Sequence, residues 1–81
     1  MYIEDLIIAL AISRNVSMNP YDSKLIYSFH DQISRGSGFT EKQELLSVKI
    51  LKRQAAKLNS IFGKDILPFL EIPLFQNSNF L

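Results

Sequence analysis

The chain of 81 residues has no cysteine and no tryptophan, and only three glycines, three prolines and one histidine. Without cysteine it has neither disulfides nor thiolate metal sites, and a reducing cytoplasm is the compartment expected of it. The glycines, Gly36, Gly38 and Gly63, form no phosphate loop, because "GSGFTEK" is too short for the Walker spacing of glycine, four residues, glycine, lysine and Ser/Thr. His30 falls among polar positions of a predicted helix and lacks companions for a metal site or a catalytic base. A long apolar run is missing as well. "LIIALAI", from Leu6 to Ile12, is far shorter than the roughly 20 residues a membrane span needs, and Glu4 and Asp5 stand where a signal peptide wants positive charge. A soluble, unprocessed protein with no membrane partner is expected.

What is present is an ordinary globular composition, 47% hydrophobic and 21% charged, in one small domain spanning 1–81. A chain this short buries only roughly 60 to 65% of its unfolded surface, so helix packing must supply the stability. Its ending, "QNSNFL", has neither periodicity nor charge, which fits an N-terminal fragment of a longer protein cut at a linker.

The punctuation divides the chain into helices. Ile3, Leu6, Ile7 and Leu10 share one face of a helix over about Ile3–Arg14, with Glu4 and Asp5 near its positive end. Ile8 and Ile12 lie on another side, either buried centrally or covered by something beyond this core. Asn19 and Pro20 open a second helix, with Asp22 reinforcing its acidic start, in which Tyr21, Leu25, Phe29 and Ile33 form the apolar stripe, widened by Ile26. Arg35 and "GSG" stop it. Thr40, with Gln43 three residues on, has the spacing of a capping box and opens a third helix reaching Phe62, with Val48, Leu51, Ala55 and Leu58 inward. Gly63 breaks that helix, and a short turn over about Asp65–Leu70 is limited by Pro68. The expected fold is all-α, a compact bundle of three main helices with a short C-terminal helical turn and an extended tail.

No catalytic constellation accompanies these helices. The acid pairs Glu4–Asp5 and Glu41–Glu44 sit at helix starts, where the dipole favours them, and Ser34 and Ser37 have no histidine and acid arranged around them. Neither an enzyme activity nor a cofactor or metal is expected of this chain alone.

Charge is the remaining lead. The net charge is +1, but from Arg35 to Lys64 seven basic residues stand against two acids, Glu41 and Glu44. On one continuous helix Lys42, Lys49, Arg53 and Lys57 would cluster within roughly 80°, and Lys52 would widen the sector to about 140°. Leu46 and Ala56 fall in the same sector, leaving room for a base or sugar. Such a face can follow a phosphate backbone; a merely solvated face is the competing reading, although it usually mixes signs. Tyr27 and Phe39 are candidate stacking residues, each with an ordinary packing role as the alternative.

The stretch "GFTEKQELLSVKILKRQAAKL", preceded by "HDQISRG" and followed by "FGKDILPFLEIPLF", resembles the small N-terminal helical accessory domain ahead of the motor core in phage-encoded superfamily 2 DNA helicases. Thr40, Lys42, Gln43, Lys49 and Arg53 carry the likeness, which covers about Asp31 to Phe75. The pattern's basic residue after the last proline is missing from "PLFQNSNFL". The resemblance implies a noncatalytic DNA-engaging or docking domain of a replication or recombination helicase. Its expected partners are single-stranded or forked DNA and the helicase motor core or another replication protein. An interaction module using the apolar Ile8 and Ile12 surface, with the "IPLF" segment, is the alternative.

Overall fold

The computed structural model describes residues 1–13 and 17–77, and in it the chain is all-α. The elements are α1 (Ile3–Ile12), α2 (Pro20–Ser34), α3 (Glu41–Arg53), α4 (Ala55–Phe62) and α5 (Leu67–Glu71). Helix α1 packs against α2, α3 and α4, and its face of Ile3, Leu6, Ile7 and Leu10 is buried as its spacing predicts. Ile8 is half-buried and Ile12 is exposed. Arg14, expected to end this helix, lies outside the described residues. Among those residues no helix is long and apolar enough to cross a membrane.

Local chemistry sets the helix ends. Asn19 Oδ1 accepts from the Asp22 N–H at 2.8 Å, and Pro20 supplies a preset φ at the first turn of α2. Gly36, at φ +73°, turns the chain out of α2 through a left-handed conformation that disfavours any residue with a Cβ. The Thr40–Gln43 capping box forms in both directions: the Gln43 N–H donates to Thr40 Oγ1 at 3.2 Å, and the Thr40 N–H donates to Gln43 Oε1 at 3.0 Å. The Gln43 amide also pairs reciprocally with that of Gln32 at 3.0 and 3.2 Å, tying the end of α2 to the start of α3.

Three expectations require correction. The third helix is two: Gln54, at φ −101° and ψ 15°, separates α3 from α4, although its N–H still donates to Ile50 O at 3.1 Å. Pro68 does not limit the last helix but stands within its first turn, where a missing donor is harmless, so α5 begins at Leu67. Finally, the inward faces of α2 and α3 are rotated from their apolar stripes. Helix α2 buries Asp22, Ile26 and Phe29, leaving Tyr21 exposed; α3 buries Ser47, Ile50 and Leu51, leaving Val48 half-buried. The polar groups so buried are hydrogen-bonded, Ser47 within its own helix and Asp22 across the core. Ser47 Oγ donates to Glu44 O at 2.8 Å, and Gln54 Nε2 donates to Asp22 Oδ2 at 3.0 Å.

The C-terminal segment closes the molecule against α1. The Ile3 N–H donates to Leu74 O at 2.8 Å, satisfying a donor that the first turn of α1 leaves over. The buried Glu4 carboxylate accepts from the N–H groups of Gln76, at 2.9 Å, and Asn77, at 3.0 Å. Phe75 brings its ring edge-on to Phe39, 6.0 Å between centroids, and Phe39 in turn lies 5.2 Å from Phe29. The resulting radius of gyration is 11.7 Å, the value of about 12 Å expected for a folded chain of this length.

Candidate nucleic-acid interface

The candidate interface is organised by a carboxylate. Asp22 is fully buried at the start of α2, where an unpaired charge would be costly. Arg53, the last residue of α3, donates from both Nε, 3.1 Å from Asp22 Oδ2, and one terminal nitrogen to Oδ1, and Gln54 adds its amide. The Arg53 hydrogen bonds hold the Asp22 carboxyl below the usual carboxylate range, against the opposing effect of burial, with help from Gln54. The same pairing raises the Arg53 guanidinium, with a smaller contribution from Tyr21 beside it. Arg53 is thus a structural cation first. Its role as a freely available phosphate contact is corrected accordingly, although its side chain remains 47% exposed.

The lysines fare differently. Lys42, Lys49 and Lys52 are exposed on α3, and none has an acidic partner among the described residues. Arg35 is occupied by Asp31 at 3.1 Å, and Lys64 sits 5.3 Å from the centre of the Phe69 ring. Lys57 lies beyond the break at Gln54, half-buried on α4, and the sector that would have joined it to the α3 cations is interrupted.

The aromatic expectations also divide. Phe39 is 1% exposed and belongs to the core with Phe29 and Phe75, so it cannot stack on a ligand. Tyr27 is exposed, but it borders neither of the grooves on the α3 face. Tyr21 does. The rotation of α2 that buries Asp22 brings Tyr21 to the surface, 59% exposed, beside Lys42, Leu45, Leu46 and Lys49, with which it lines a groove of about 310 Å³. A larger groove of about 470 Å³ lies on the other side of Leu45, bounded by Val48, Lys49 and Lys52, by Pro73 and Phe75, and by Glu41 and Glu44 at its acidic end. Leu45, itself 64% exposed, is the ridge between them.

Tyr21 and Leu45 are the residues that the apolar pattern misplaced or passed over. The signal was present, because Asp22, Ile26, Phe29 and Ile33 recur at helical spacing as well as the stripe through Tyr21 does. Preferring the first stripe needs a buried partner for Asp22, and the Arg53–Gln54 pair provides it. Chemically the face offers cations for phosphate oxygens and exposed apolar and aromatic surface for bases or sugars. Comparison of the chain with family models, curated proteins and solved structures finds no match.

Proposed function

We propose that the chain is a noncatalytic module that engages single-stranded or forked DNA through the α3 face. In this reading it serves as a DNA-engaging or docking domain of a phage-type replication or recombination helicase. The observation that carries it is the trio Lys42, Lys49 and Lys52, exposed and, among the described residues, without acidic partners, around the exposed Leu45. A face kept only for solubility avoids an exposed leucine at its centre, and here the charges are segregated along the helix, with Glu41 and Glu44 at one end and Lys49 and Lys52 toward the other. Glu41 and Glu44 repel phosphate from one end of the larger groove, so the backbone is drawn toward Lys49 and Lys52.

Contact with about three phosphates gives a plot of log affinity against log salt with a slope of about −2 on single strands. The test replaces Lys42, Lys49 and Lys52 together by glutamine and measures oligonucleotide affinity across a salt series. Arg53 is left intact, since reversing its charge beside buried Asp22 would unfold the domain rather than probe its surface. Loss of binding and of the slope, with helicity retained, supports the proposal; unchanged affinity reduces the lysines to a solvated face.

The alternative is an apolar docking module, favoured by Ile72 at 78% and Leu74 at 56% exposure. Ile12 does not extend that surface continuously, because Leu74 bonds to Ile3 at the far end of α1, roughly 13 Å along the axis. Binding of a protein partner that is insensitive to salt and lost on Leu74→Asp would select this reading.

A further inference from the structure

We infer that Tyr21 is a base-stacking platform and that the groove it shares with Leu45 and Leu46 is a nucleobase subsite, which makes this face selective for unpaired strands. The inference rests on the DNA-engaging reading above and names how that engagement discriminates. Of the grooves described above, the smaller is lined by Tyr21, Lys42, Leu45, Leu46 and Lys49 and, among the described residues, by no acid, whereas Glu41 and Glu44 border the larger. Lys42 and Lys49 are two turns apart, roughly 10 Å along α3, with the exposed Leu45 and half-buried Leu46 between them. Cations at both ends, with Leu45, Leu46 and an aromatic ring lining the groove, complement a base whose flanking phosphates lie on either side. An apolar peptide would leave both ammonium groups unanswered.

The backbone that carries the ring is also fixed on both sides. Asn19 and Pro20 fix the backbone just before Tyr21, and Asp22, clamped by Arg53 and Gln54, fixes it just after. Only the two side-chain torsions of the tyrosine remain to be ordered on binding, which keeps the entropic loss small. In a duplex the base faces are covered by their neighbours; in a single strand they are open to an aromatic ring. Stacking on Tyr21 therefore adds affinity for unpaired bases and none for paired ones.

The chain lacks tryptophan, so Tyr21→Trp introduces a single indole reporter at the subsite. Its emission is to be followed on titration with oligo-dT, with a duplex of equal length and with inorganic polyphosphate, a polyanion without bases. Oligo-dT should quench the emission and the other two should not. Tyr21→Ala should weaken oligo-dT binding roughly 5- to 100-fold, with the salt slope and the polyphosphate affinity unchanged, and Tyr21→Phe should restore binding. Lysine-dependent DNA binding to which Tyr21→Ala makes no difference, with the indole reporter quenched no more by oligo-dT than by polyphosphate, overturns the stacking inference alone. Absence of any DNA binding by the unmodified chain overturns both this inference and the reading on which it rests.

Discussion

Asp22 determines what the α3 face presents, because burying this carboxylate turns Tyr21 outward and engages Arg53. Arg53→Ala leaves the buried Asp22 carboxylate with the Gln54 amide as its chief donor, and should destabilise the fold. A fully buried ion pair broken on one side loses about 3–5 kcal/mol. Arg53 is 47% exposed and water can reach part of the vacated site, so a loss of about 2–3 kcal/mol in equilibrium urea unfolding is expected. The pH dependence has a definite sign. The Asp22 carboxyl is held below its ordinary value, chiefly by Arg53, so around and below that value the unfolded chain binds more protons and stability rises with pH. The contribution is fully present above the unfolded value of about 4 and is lost as pH falls through the lower folded value. Urea unfolding at pH values between about 2 and 5 should show a shallower acid loss for Asp22→Asn than for the unmodified chain. Parallel curves would mean that the pair contributes nothing to acid sensitivity.

At the level of the helices, the starts of α2 and α3 and the buried face of α1 are legible in the sequence, whereas the inward faces of α2 and α3 and the break at Gln54 are not. Capping is local chemistry: Thr40 and Gln43 are three residues apart and find each other whatever the rest of the chain does. Thr40→Ala should therefore lower stability by about 1 kcal/mol in urea unfolding. Gly63→Ala should lose about 1 kcal/mol as well, because φ is +68° there and no atom lies within 4 Å of the added methyl, so backbone strain acts alone. Asparagine at this position should lose less than alanine, and equal losses would point to a contact rather than to strain. The faces depend on distant partners. Gln54 interrupts the long helix without any glycine or proline to announce it, and its buried side chain bonds to Asp22, 32 residues earlier in the chain. No window of the sequence contains that pairing. The exposure of Lys42, Lys49 and Lys52 could be read from charge pattern, but the half-buried place of Lys57 beyond Gln54 could not. Phe39, Tyr21 and Arg53 could not, since each takes its place from a ring or an ion reached through the tertiary fold.

Across the whole molecule the chain is closed by a contact between its first helix and its C-terminal segment. Glu4 looks like an ordinary acid in the first turn of α1, but its buried carboxylate accepts the backbone N–H groups of Gln76 and Asn77. Charge-assisted bonds of this kind, shielded from water, contribute more than neutral ones. They hold the segment that supplies Pro73 and Phe75 to the larger groove and sets the Phe75 ring against Phe39. Glu4→Gln keeps the shape but substitutes one neutral acceptor oxygen for two charged ones. It should lower global stability by about 1–2 kcal/mol. The more discriminating measurement is amide hydrogen exchange. If the segment opens as a local unit, the amides of Gln76, Asn77 and Ile3 should accelerate more than those in the middle of α2, which follow global unfolding. Equal acceleration everywhere would mean that the segment and the bundle unfold as one, with Glu4 supporting the whole core rather than a latch at its edge.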